Sequence, residues 1–191
     1  MEAFLRAVAP KILGTRATFD VYQFQCKARL LEVLPRRLAG YRTWAPPGLR
    51  VVALVDRDHE PCGPLKKQME TFARRVGLAT PSGKLSGEWK VANRIAIEEL
   101  EAWYFGDWSA VCAAYPRVDP NTPKRRGLRD SDAIRGGTWE AFEKVLQKAG
   151  YYRGGLAKTE AAQRIGGHFD PARCRSRSFQ VFRSTLLGAL D

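Results

Sequence analysis

The sequence predicts an α/β fold, a mostly parallel sheet flanked by helices and continued by a helical, loop-rich C-terminal part. Three observations predict it. Helix-like and strand-like apolar spacings alternate through the first half of the 191 residues. The run Val51 to Val55 is apolar at every position, which suits a strand covered on both faces. In the second half, apolar residues recur at helical spacing between loops rich in Arg, Gly and Pro. The expected organisation is an α/β core over residues 1–115 and a helical extension, residues 116–191, packed on it.

Taken in order, Glu2 to Ala9 reads as a helix with Phe4, Leu5 and Val8 on one side. Thr18 to Phe24 alternates like a strand. Lys27 to Leu38 is helical through Leu30, Leu31 and Leu34, and Pro35 should kink or end it. Arg50 to Val55 is the buried strand. Leu65, Met69, Phe72 and Val76 mark an amphipathic helix that stops at Gly77. Pro81 to Gly87 is a loop, Glu88 to Ile95 a strand, and Ile97 to Phe105 a helix. Thr138 is an N-cap for a helix carrying Trp139, Phe142, Leu146 and Ala149, closed by Gly150. A short helix begins near Thr159, and a last one carries Phe179, Phe182 and Leu186. Trp103, Trp108 and Trp139 sit at helical spacing and are expected in the core.

Composition narrows the function classes. A hydrophobic content of 45% with five Trp excludes a disordered chain. No apolar run is long enough to span a bilayer and no signal peptide is visible, so a cytoplasmic protein without membrane contact is expected. Cys26, Cys62, Cys112 and Cys174 form no CxxC pair, which argues against a zinc ribbon and for reduced thiols. His59 and His168 are too isolated for a histidine-rich metal site. The net charge of +12, from 32 Lys and Arg against 20 acids, favours a polyanionic partner such as DNA or RNA. Solvated surface charge is the plainer alternative. The stretches "NTPKRRGLRD" and "PARCRSRSF" gather Lys124, Arg125, Arg126, Arg129, Arg173, Arg175 and Arg177. Thr122, Ser176 and Ser178 supply hydroxyls able to join them at phosphates.

The acids carry the candidate chemistry. Along an extended chain Asp56 and Asp58 point the same way, at the carboxyl end of a strand, where open α/β sheets gather ligands. Paired carboxylates there repel unless a proton or cation intervenes, and hard oxygen ligands suit Mg²⁺ or Mn²⁺. A DxD turn without any ligand fits the spacing equally well. In "NRIAIEELEAWYFGD", Glu98 and Glu101 are three apart and share a helix face, whereas Glu99 points to solvent. A second face of like charge again calls for a cation or a basic partner, and Arg94 is one such candidate.

The blocks "MEAFLRAVAPKIL", "VVALVDRDHEPC", "NRIAIEELEAWYFGDW", "AYPRV", "GGLAKTEAA" and "RSRSFQVF" together resemble the DUF4276 family over nearly the whole chain. That family is regarded as Toprim-like, related to the nuclease domains of the overcoming-lysogenization-defect proteins. The resemblance implies a Mg²⁺-dependent phosphodiester-cleaving fold, in relatives that accompany an ATPase in bacterial anti-phage defence. It implies metal ligation by Asp56 and Asp58, with Glu101, Glu98 and Glu2 at the further acidic positions. Lys158 resembles the basic residue placed near the scissile phosphate, where a point charge stabilises the transition state. A nucleic-acid-binding or regulatory subunit of an ATPase complex, without catalysis, is the alternative.

The resemblance also implies a first strand ending in a catalytic Glu, which is expected upstream of Met1 because the matching helix begins at once; a protein that has lost this metal ligand is the alternative. Two arrangements are then expected: a gap beside Arg50 to Val55, or its direct pairing with Thr18 to Phe24. Either way, the 191-residue form should be poorly stable or form homo-oligomers, and show little metal-dependent cleavage.

Overall fold

The apolar run is a strand, and both its faces are covered. In the computed structural model, which describes residues 1–58, 60–81 and 89–190, β1 (Val51–Asp56) pairs in parallel with β2 (Val91–Ala96). Val51 lies opposite Val91 and Asp56 opposite Ala96. Side chains alternate across the sheet, so one face of β1 carries Val51, Ala53 and Val55 and the other Val52 and Leu54. The first set packs with Leu34 and Leu38 of α2 (Lys27–Trp44) and Leu65, Met69 and Ala73 of α3 (Cys62–Arg75). The second packs against a larger cluster that draws on α1 (Glu2–Leu13), α4 (Glu101–Gly106) and α5 (Trp108–Ala114). The same cluster takes in α6 (Thr138–Lys148), α7 (Lys158–His168) and α8 (Arg177–Leu187). The architecture is a mixed α/β one, a small parallel sheet between two layers of helix.

Aromatic packing centres on α4. Trp103 stacks on Phe182 and meets Phe179 edge-on, while Tyr104 reaches Phe4 and Phe142. Residues from Phe4 to Phe182 therefore share one core. Gly166 lets α7 approach α1: a Cβ there would stand 2.7 Å from Cβ of Ala7. Among the described residues, no helix is long and apolar enough to cross a membrane. All four cysteines are free thiols.

Several expectations change. Thr18 to Phe24 forms no strand. Its aromatic residues stack on the Arg37 guanidinium instead, and the Val21 carbonyl accepts from Arg6, so no sheet partner takes up its backbone. Among the described residues β1 thus has a strand on one edge only. In a parallel ladder the backbone groups of Val52, Leu54 and Asp56 face that open edge. Pro35 does not end α2, which runs nine residues further, to Trp44. Burial of Leu34 and Leu38 on either side of it offsets the lost hydrogen bond. Pro10 is accommodated likewise in α1, which runs past Ala9 to bury Ile12 and Leu13. Residue His59, the Pro81 to Gly87 loop from Ser82 onward, and Glu88 lie outside the described residues.

Candidate functional site

The carboxyl end of β1 continues its ladder beyond the strand. Arg57 N–H donates to the Ala96 carbonyl and Asp58 N–H to the Glu98 carbonyl, both at 3.0 Å. Past the end of β2 the chain bends at Ile97 and Glu98, where these two bonds hold it, and α4 begins only at Glu101. Glu98 and Glu101 therefore do not share a helix face as expected: Glu98 lies in the bend before the helix, where its carboxylate takes the Arg57 guanidinium. Strand alternation also stops at Asp56. Asp58 adopts φ 52°, a left-handed turn that Asp tolerates better than most residues, and its carboxylate meets Lys27 Nζ at 2.7 Å. Lys27 binds Glu60 at 2.7 Å and donates to the Arg57 carbonyl as well. Burial lowers the pKa of Lys27, but its hydrogen bonds to the two acids hold it above the ordinary lysine value.

Asp56 is left without such a partner. Its Oδ1 is fully buried and makes no hydrogen bond within the described structure. Burial first, and then the charges of Glu101 and Asp58, raise its pKa to about 7. Glu101, itself 7% exposed, is raised by burial too, with Lys158 pulling the other way. Lys158 Nζ sits 4.3 Å from the centroid of the Trp139 ring, a cation–π contact that holds the ammonium on this side of α6 and α7. Asp56, Glu101 and Lys158 thus gather at one place. Among the described residues, no three His, Cys, Asp or Glu side chains stand as a finished metal-ligand set.

A cavity of about 240 Å³ opens beside them, lined by Asp58, Glu98, Glu99, Gly137, Trp139 and Glu140. Glu99 does not point to solvent. Its Oε2 accepts from Thr138 Oγ1 at 2.9 Å and from Trp139 N–H at 3.0 Å, so this distant carboxylate caps α6. Thr138, expected as the cap residue, is the first residue of the helix, and Gly137 occupies the cap position at φ 90°. Glu140 Oε2 is buried without a partner and lies over Gly137, where an added Cβ would stand 1.7 Å from it. Glycine leaves that space to the carboxylate, and its positive φ is one that other residues rarely adopt. Trp139 is half-buried in the cavity wall, whereas Trp103 and Trp108 lie in the core as expected. Lys27, and the capping role of Glu99, escaped the sequence because each works through a long-range contact, whereas Glu140 folds back over Gly137 without a partner to mark it. The Gly136–Gly137 pair ahead of a helix was the one local signal.

The remaining candidates divide. Glu2 is held by Arg6 at 2.7 Å in the first turn of α1. Arg173 clamps the fully buried Asp107 with bonds of 2.6 and 3.0 Å, which makes it part of the core's support. Arg125 pairs with Asp119 at 2.8 Å. Lys124, Arg126, Arg175 and Arg177 are exposed, and among the described residues none lies in ion-pair range of a carboxylate. The hydroxyls expected beside them turn inward. Ser176 and Ser178 bind the Asp132 carboxylate, and Thr122 is buried.

The model of a domain of unknown function, DUF4276, matches residues 1–187. The chain belongs to the DUF4276 family. No curated protein and no solved structure matches it. For this DUF4276 protein, the site itself therefore has to carry the functional reading.

Proposed function

We propose that this DUF4276 protein is a Mg²⁺- or Mn²⁺-dependent, Toprim-like nuclease that cleaves phosphodiester bonds. The observation that supports it most is the buried, partnerless Oδ1 of Asp56 beside the buried Glu101. Two carboxyls kept out of water need protons or a cation, and a divalent cation satisfies both at once. Asp56 and Glu101 would hold it, with Asp58 as the third oxygen donor. The ion would polarise a phosphate oxygen and lower the pKa of an attacking water. Lys158, fixed against Trp139, adds positive charge where a phosphoryl group gains negative charge. Glu140 offers an unpaired carboxylate oxygen within the cavity as a proton acceptor. Arg126, Arg175 and Arg177 position the nucleic-acid backbone. A cytoplasmic defence effector partnered by an ATPase extends this reading through the family resemblance.

A second reading, a regulatory or nucleic-acid-binding subunit without catalysis, draws on other observations. Lys27 and Arg57 already neutralise Asp58 and Glu98, and among the described residues no three acids converge as a set. Incubation of labelled DNA and RNA with the protein and Mn²⁺, Mg²⁺ or EDTA separates the two. The nuclease reading expects cleavage, however slow, that needs the metal and disappears in Asp56→Asn and Glu101→Gln. Cleavage that survives EDTA or either substitution counts against it, and a folded protein that binds nucleic acid without cutting favours the second.

A further inference from the structure

The extended segment after α1 and the outer side of α2 build a surface that neither the acids nor the C-terminal loops use. Tyr22 and Trp44 are the most exposed aromatic side chains, at 61% and 64%. Arg37 lies over two rings at once, 5.3 Å from the centroid of Tyr22 and 5.4 Å from that of Phe24. On α2 the positions 37, 41 and 44 follow helical spacing, so Arg37, Tyr41 and Trp44 form one stripe, with the last two rings 5.3 Å apart. At 100° per residue, Arg36 and Arg42 lie about 110° and about 130° round the helix from the centre of that stripe, one on each side. Arg36, Arg37 and Arg42 are all exposed, and the ion pairs of α2 among the described residues belong to Lys27 and Arg29 instead. Tyr41 also lines a separate cavity of about 310 Å³ whose wall carries Arg42 and Lys90.

We propose that this surface is a stacking platform for single-stranded nucleic acid. Flat rings interleaved with guanidinium groups offer bases a face to stack on and phosphates a charge to pair with. A duplex hides its base faces and would gain only the second. A second copy of the chain would bring three more unpaired arginines against these three, so like charge opposes self-association here. The platform also has a direction. Lys27, which holds Asp58, begins the helix that ends in Trp44, and eighteen residues span about 27 Å. The inference rests on the nuclease reading for its choice of polyanion and names the form of the substrate.

Fluorescence anisotropy with a labelled 20-nucleotide oligothymidine and a duplex of equal length tests it, in EDTA so that nothing is cut. Trp44→Ala should weaken single-strand binding roughly fivefold to a hundredfold, the loss of one base stack at ~1–3 kcal/mol. Tyr22→Ala should add to that, Trp44→Phe should retain most of the affinity, and duplex binding should be unchanged in all three. Single-strand affinity within twofold of the parent in a folded Tyr22→Ala/Trp44→Ala protein overturns the proposal. So does a parent dimer that this variant converts to monomer with oligothymidine binding intact, since the patch is then a subunit interface. Asp56→Asn should bind oligothymidine as the parent does. Its loss of cleavage bears on the acidic site alone.

Discussion

The proposed chemistry rests most heavily on one oxygen atom, Oδ1 of Asp56. The residue as a whole keeps some contact with solvent, but Oδ1 does not, and the atom determines the cost of the charge. With its pKa raised from an ordinary value near 4 to about 7, the folded protein binds this proton more tightly than the unfolded chain. The associated stability is fully present below about pH 4 and is lost as pH rises through about 7. Glu101, raised as well, acts in the same direction. Asp56→Asn removes the ionisation, so its unfolding midpoint in metal-free buffer should change much less between pH 5 and pH 8. The parent should lose on the order of 2–4 kcal/mol over that range, which denaturation curves at successive pH values would show. A parent as stable at pH 8 as at pH 5 argues against the buried carboxyl. Asp56 was legible in the sequence as an acid at the exit of an apolar strand. Its partnerless state was not, because Lys27 and Arg57, which take the neighbouring acids, reach them through the fold.

Elements were legible where one face is apolar and the ends carry their own signals. The amphipathic helix α3 needs only Leu65, Met69 and Phe72 at helical spacing and Gly77 beyond its end, and α6 and α8 are read in the same way. Two misreadings share a cause. Thr18 to Phe24 has strand alternation but, among the described residues, no strand beside it, and residues 97–98 have helix spacing but bend where Arg57 and Asp58 bond to the Ala96 and Glu98 carbonyls. Pairing between distant segments decided both, and no local window contains it. Helix α7 offers a paired test of packing. Gly166→Ala would push a methyl group to 2.7 Å from Ala7 Cβ, and should cost about 1–3 kcal/mol. Gly167 is exposed with open space at its Cβ position, so Gly167→Ala should stabilise the helix by about 0.5–1 kcal/mol. Equal effects at the two positions, measured by urea unfolding, would contradict the close approach of α1 and α7.

At the scale of the whole molecule, the basic balance of +12 divides into structural and free cations. Arg173 belongs to the first kind: Arg173→Ala strands the buried Asp107 carboxylate and should lower stability by about 2–3 kcal/mol. Arg126, Arg175 and Arg177 belong to the second. Replacing the three with Ala should leave the fold intact and reduce the slope of log affinity against log salt by up to about 3. An unchanged slope would leave these loops without a role at phosphates. Charge alone did not distinguish the two classes in the sequence, because an arginine in a basic run looks the same whether or not a buried carboxylate waits for it. The two layers of helix place the sheet's carboxyl end, with Asp56 and Glu101, beside the cavity walled by α6. The proposed divalent cation there is most directly tested by isothermal titration of Mn²⁺ into the metal-free protein at pH 8, alongside Asp56→Asn. Saturable binding to the parent that the variant lacks, with the unfolding midpoint of the parent alone rising in Mn²⁺, is the predicted result. Identical titrations for the two proteins, or no binding to either, would contradict it.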